Sequence, residues 1–301
     1  MKDIFFTDEF IEFFKLSKIE TDAFLYPFLI VNFNGYKSIS SLGYQGILIK
    51  KNYSDNELKE FYTELKNFIK KNQIVCEFIR YNPFLNNILK LDQKNESSRF
   101  FVIETDKNPS LYLENLPSRT RYSIKKAKEK ITVKTVKNDK DIGIIKGTLK
   151  YKNEFFYDEE SLKKLLIAPF SIKFSAFFND EEVASSLFFY SDDTSYYVAN
   201  FSTEKGKKNN ANIFLIYEFY RFCFERNIKY IGLGGGFKEN DSLSFFKSQF
   251  STYSTKIIHS KLVHDEKIYN KLNENLKENY FPPYLSEQNL LKLSNSSSKS
   301  D

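Results

Sequence analysis

Tryptophan is absent from the 301 residues, methionine occurs once, and cysteine and histidine occur twice each. The cysteines, Cys76 and Cys223, sit inside apolar runs (IVCEFI and YRFCFE), so they read as buried thiols of a reducing compartment and not as a disulfide. The two histidines, His259 and His264, are too few and badly spaced to join them in a zinc site or a Cys-His nucleophile pair. No metal is therefore expected. The apolar runs are short and interrupted, which excludes a membrane-spanning helix. The opening MKDIFFTDEF carries acids where a secretory signal would be uninterruptedly apolar, so the expected location is cytoplasmic.

A dominant charge of one sign is missing as well. The 45 basic and 39 acidic residues leave a formal charge of +6. That excess suits a polyanionic ligand such as coenzyme A, a nucleotide-sugar or RNA, and is too small to argue for a DNA-binding surface. Aromatic residues, by contrast, are plentiful: 32 Phe and 20 Tyr in a chain that is 41% hydrophobic supply a folded core. The length accommodates two domains.

Along the chain, apolar and acidic residues from Asp3 to Leu16 suggest a short helix, and DAFLYPFLIVNF a strand with Pro27 near an edge. SDNELKEFYTELKNFIKKN reads as an amphipathic helix capped by Ser54. The first half ends near Pro117. Beyond it come the basic helix SRTRYSIKKAKEK with Ser118 as its cap, the strand ITVKTV, and the helices DKDIGIIKGTLKYKNEFF and DEESLKKLLIAPF. Three strands then form a meander, with Asn179-Asp180 and Asp192-Asp193 as turns. A polar loop, EKGKKNNAN, leads into the helix NIFLIYEFYRFCFERN, the strand IKYIGLGGG, the helix DSLSFFKSQF and a closing strand. The tail SNSSSKSD is low in complexity and expected to be disordered. A three-strand meander followed by strand, helix and strand resembles the build of a GNAT-type domain, so the expected fold is α/β (α+β): two tandem GNAT-like domains, residues 1–117 and 118–285, each a mixed, mostly antiparallel sheet flanked by helices, with a disordered tail at 286–301.

Four of the ten glycines fall at 232, 234, 235 and 236. A dinucleotide fingerprint in this register would need glycine where Phe237 stands, and no register supplies the Gly-Lys-Ser/Thr of a phosphate loop. Gly234, Gly235 and Gly236 instead let backbone approach a substrate at a strand's end. Asp241 opens the next helix, as a cap or as a substrate ligand. Phe246 and Phe250 share that helix's packed face, which leaves Lys247 at its margin, able to reach water or a cleft. A better anion site lies upstream, where Lys205, Gly206, Lys207, Lys208, Asn209, Asn210 and Asn212 precede and open a helix whose amides and dipole attract negative charge.

Four segments in order resemble the FemAB-like GNAT acyltransferases, the peptidoglycan-bridge aminoacyltransferases and their surface-glycan relatives. They are Gly43-Tyr44-Gln45-Gly46-Ile47-Leu48; CEFIRYNPFLNN with Arg80 and Pro83; Arg121 to Ala127, of the type R-x-x-I-x-K-A; and Leu233-Gly234-Gly235-Gly236 followed by Asp241, Leu243, Phe246-Lys247 and Phe250. Together they cover roughly residues 30 to 255. Leu42, Gln45 and Ile47 depart from the family's Tyr-Gly-Tyr-Gly-Gly-Pro segment, and no inserted helical arm is evident. The resemblance implies transfer of an acyl group to an amine or hydroxyl, with Lys247 stabilising charge and Phe246 as a wall. Asp241 or Tyr44 would orient the acceptor, and Arg80 and the three glycines would bind substrate. The donor it implies is acyl-CoA, most simply acetyl-CoA, with the pyrophosphate at Lys205–Asn212, and the acceptor a sugar or nucleotide-sugar. An aminoacyl-tRNA donor for a peptidoglycan precursor, and a non-catalytic glycan- or RNA-binding role, are the alternatives.

Overall fold

The computed structural model describes residues 2–91, 96–136, 159–236, 241–274 and 281–285. Thr7 caps the first helix, α1 (Asp8–Phe13), by accepting from the Phe10 amide. Strands β1 (Ser17–Glu20), β2 (Phe24–Phe33) and β3 (Tyr36–Ser40) follow, β2 and β3 joined by a turn in which Asn34 and Gly35 both take positive φ, as a tight hairpin requires. After β4 (Ile47–Ile49), a capping box between Ser54 and Glu57 opens α2 (Asp55–Asn72), and Gln73 in the left-handed region ends it. Then come β5 (Ile74–Arg80), β6 (Ile88–Leu89), β7 (Glu96–Glu104), α3 (Pro109–Asn115) and α4 (Ser118–Lys128). The expected Ser118 cap is not made: Pro117 holds the cap position without a side-chain bond, and Ser118 is already helical.

The second half runs β8 (Thr132–Val136), α5 (Glu159–Ile167), the meander β9 (Ser171–Phe178), β10 (Glu181–Tyr190) and β11 (Thr194–Ser202), then α6 (Glu204–Lys208), α7 (Ala211–Glu225), β12 (Tyr230–Gly234), α8 (Ser242–Ser248), β13 (Tyr253–Val263) and α9 (Glu266–Leu272). The helix expected from DKDIGIIKGTLKYKNEFF, and the tail at 286–301, lie outside the described residues.

Two compact units divide the chain. The first gathers Phe5–Ser98 with the described chain from Lys256 onward. Its strands lie in the order β6-β4-β2-β3-β5-β13, with β1 beside β2. Every neighbouring pair is antiparallel except β3 with β5, which α2 connects as a crossover. The second unit gathers Arg99–Thr255 with residues 2–4, in the order β7-β12-β11-β10-β9-β8. Here the parallel pair is β11 with β12, and α7 makes the crossover. Each is a mixed, mostly antiparallel sheet with helices against it.

A linear division at 117/118 does not describe these units, because pairing is non-local. Ile103 of β7 lies opposite Ile231, and the Tyr112 ring stacks on Tyr220 at 3.7 Å, so residues 99–117 pack with the second half. From Lys256 onward the chain returns to the first: His259 to Val263 pair with Arg80 to Cys76.

α7 is apolar around most of its circumference and is accordingly buried, with Phe219 stacked on Phe188 at 3.6 Å. Cys223 on α7 and Cys76 on β5 are both buried free thiols, and burial raises the pKa of each. Among the described residues no helix is long and apolar enough to cross a membrane.

Candidate active site

The end of β12 shows what the glycine run does. Ile231 and Leu233 are buried in the second unit's core, and pairing with β7 shifts register between Gly232 and Gly234. Gly234 takes φ +77°, a left-handed conformation that glycine tolerates without strain. A Cβ on Gly236 would overlap Asp241 Oδ1 and Ser244 Oγ, so only glycine lets the start of α8 close onto the strand's end. Gly235 lies as tightly against the Arg99 carbonyl.

Asp241 is the N-cap of α8, accepting from the Ser244 amide at 2.7 Å. One and a half turns on, Lys247 is 8% exposed and its ammonium donates to the Gly235 carbonyl at 2.6 Å. The sequence left this side chain a choice between water and a cleft; the structure turns it inward to the glycine turn. Burial pushes its pKa down to about 8, against the opposing pull of the Asp241 carboxylate. Phe246 packs against the core beside Phe250, edge to face at 5.4 Å. The structure thus brings Asp241, Lys247 and the three glycines together within one unit.

The neighbouring strand outruns its pairing. β11 pairs with β12 only from Thr194 to Tyr196, then runs on to Ser202. Past Tyr196 and Gly232 the two parallel strands therefore part at their carboxyl ends, where open α/β sheets receive ligands.

The segment at Lys205–Asn212 is not the expected polar loop. Glu204–Lys208 is a helical turn capped by Thr203, because the Thr203 hydroxyl accepts from the Gly206 amide at 3.0 Å. Gly206 is buried, with no room for a Cβ against the Val183 carbonyl, so it serves packing. Lys205 reaches Glu181 at 2.6 Å and Lys207 reaches Glu204 at 2.6 Å. Asn209 bonds back to the Lys205 carbonyl. Lys208 is exposed, and Asn210 enters α7 in the left-handed conformation without capping it through its side chain. Asn212, in the first turn of α7, holds a buried Oδ1 with no hydrogen-bond partner. What can meet an anion here is α7's free amides with Lys208 and the three asparagines, fewer positive charges than the sequence suggested.

In the first unit, the chain brings Tyr44 beside Arg80. Gly43 and Gly46 flank Tyr44 at positive φ, and the buried Gln45 side chain accepts from the Leu42 amide at 2.8 Å. Gln45 N donates to the Arg80 carbonyl at 2.8 Å, and Asn82 Nδ2 donates to the Tyr44 carbonyl at 3.0 Å. The backbone at Gln45 thus knits the segment to β5, while its side chain, a departure from the family segment, braces the turn at Leu42. Burial raises the Tyr44 phenol, while the Arg80 guanidinium pulls it the other way. Arg80 Nε is buried without a hydrogen-bond partner, and the guanidinium lies 5.6 Å from the centre of the Phe78 ring.

One group escaped the sequence reading. Glu77 on β5 has no exposed surface, and its carboxylate accepts from the Tyr26 hydroxyl and meets His264 Nε2 at 3.0 Å. An acid inside the apolar run IVCEFI was the available signal.

No protein-family model and no curated protein matches the chain. Solved structures do. FemX superposes with a TM-score of 0.69 at 13% identity, over 89% of this chain and 94% of that one. A conserved protein of unknown function from Bacteroides thetaiotaomicron gives 0.54 at 12% identity, over 84% and 89%. L-PGS from Bacillus licheniformis gives 0.50 at 8% identity, over 84% and 85%. These likenesses show a shared fold: the chain has the fold of FemX over nearly the whole of both molecules.

Proposed function

We propose that the protein is a GNAT-type acyltransferase that moves an acyl group, most simply acetyl, from coenzyme A to an amine or hydroxyl of a sugar or nucleotide-sugar, in the cytoplasm and for a surface glycan. The observation that carries this reading is the buried Lys247 ammonium, held by Gly235 at the carboxyl end of a strand that has just parted from its parallel neighbour. With a pKa near 8 it is about nine-tenths protonated at pH 7. A cation already stripped of water needs little reorganisation to meet a developing oxyanion.

The reaction joins the acceptor's nitrogen or oxygen to the acyl carbon and breaks the bond to the donor's sulfur. The acceptor's proton leaves through water and ends on the departing thiolate. In this scheme Lys247 turns a second N–H to the carbonyl oxygen as it becomes an oxyanion, keeping its bond to Gly235. Phe246 walls the site, and the glycine turn brings backbone close to the acyl group. The amides at the start of α7, with Lys208 and Asn212, take the donor's phosphates.

A second reading, transfer from an aminoacyl-tRNA to a peptidoglycan precursor, draws support from the FemX-like fold. It also has a basic surface to offer: α4 carries Arg119, Arg121, Lys125, Lys126 and Lys128 beside a Tyr122 that is 63% exposed. Saturable binding of coenzyme A in a titration calorimeter supports the first reading. Binding of aminoacyl-tRNA but not coenzyme A overturns it in favour of the second.

A further inference from the structure

A cavity of about 1090 Å³ opens in the first unit, bounded by α2, the β2–β3 turn, β5 and the start of α9. Its size matches the roughly 300–1,000 Å³ of ordinary ligand sites. Leu65, Ile69, Ile74, Leu262 and Ile268 form aliphatic walls. Lys66 and Lys70, exposed and one helical turn apart on α2, line it together with Lys37. Among the described residues on its walls the only acids are Asp265 and the buried Glu77, and Asp265 is engaged in capping α9.

His264 also lines this cavity, and the arrangement behind it is costly. A carboxylate with no solvent exposure is tolerated only when it is paired and hydrogen-bonded. Glu77 meets that condition through Tyr26 and through His264, which comes from a strand end 187 residues away. Donating Nε2–H to Glu77 fixes the imidazole in place and leaves Nδ1 as an acceptor, so the histidine shapes the wall and the lysines meet the charge. Aliphatic walls and a lysine-lined side together describe a site for a molecule with an apolar body and an anionic head.

We propose that this cavity binds an anionic amphiphile, its aliphatic chain against Leu65, Ile69 and Ile268 and its phosphate or carboxylate head among Lys37, Lys66 and Lys70. The site lies wholly within the first unit and shares no residue with the Lys247 cluster.

Calorimetric titration of the full chain with decyl phosphate below its micelle concentration, beside decanoate and uncharged decyl glucoside, tests this. Saturable binding of either anion is expected, with the glucoside about tenfold weaker or more. The tighter of the two anions identifies the head group. Reversing Lys66→Glu and Lys70→Glu together should weaken the anions roughly tenfold while leaving the thermal midpoint unchanged, because both side chains are exposed. Three outcomes overturn the proposal: no saturable binding of either anion, a glucoside that binds as tightly, or indifference to the charge reversal.

Discussion

Lys247 Nζ donates to the Gly235 carbonyl at 2.6 Å across twelve residues of chain, tying the last turn of α8 to the turn that ends β12. The contact depends on Gly236, which lets the helix start close onto the strand, and on Asp241, which caps that helix. Loss of either should be felt at the lysine.

Burial of Lys247 makes stability depend on pH. Its pKa is depressed from 10.5 to about 8, so between those values the unfolded chain binds more protons and stability rises with pH. The penalty of the buried ammonium is present below pH 8 and relieved toward pH 10.5. Lys247→Met should therefore gain on the wild type by about 3 kcal/mol more at pH 7 than at pH 10.5, an order-of-magnitude figure. Urea unfolding at the two pH values checks this; a pH-independent difference contradicts it.

Asp241 has a capping role that can be separated from a role toward substrate. Asp241→Ala should cost about 1 kcal/mol of stability through the lost bond to the Ser244 amide. Asp241→Asn retains an acceptor and should cost only a few tenths. If Asp241→Asn is stable yet transfers slowly, the carboxylate acts on substrate. If both variants transfer at wild-type rates, Asp241 is a cap alone.

Gly236→Ala should destabilise the second unit by about 1–3 kcal/mol, since the methyl displaces Asp241 and Ser244. Transfer should fall further than the folded fraction does, because Lys247 moves with its helix. Thermal melts run beside initial rates separate the two effects.

His264→Ala leaves the Glu77 carboxylate buried with Tyr26 as its remaining partner. The expected cost is about 2–3 kcal/mol, below the ~3–5 kcal/mol of a fully buried pair because the imidazole keeps 21% exposure. Adding Glu77→Gln should recover part of the loss, and a double-mutant cycle measures the coupling.

The sequence showed most clearly what is local. The capping box at Ser54, the meander turns at Asn179-Asp180 and the apolar α7 all follow from residues within a few positions of one another. The two units were harder to divide, because β7 pairs with β12 and β13 with β5 across more than a hundred residues, which no periodicity announces. The anion segment looked like a loop because Gly206 and two asparagines usually mark one. In the structure the glycine is there to let Val183 approach, and Thr203 caps the turn. Lys247 was legible as a residue of interest; its inward direction was not, since that depends on where Gly235 lies in space. Glu77 and His264 could not be paired from sequence at a separation of 187 residues.

The most direct test of Lys247's role is the rate of acyl transfer by Lys247→Met relative to wild type at pH 7, using whichever donor, acetyl-CoA or aminoacyl-tRNA, binds saturably. Removing one oxyanion donor should lower kcat by roughly 10²–10³-fold while donor affinity changes little. A folded Lys247→Met protein that transfers at the wild-type rate would contradict the account.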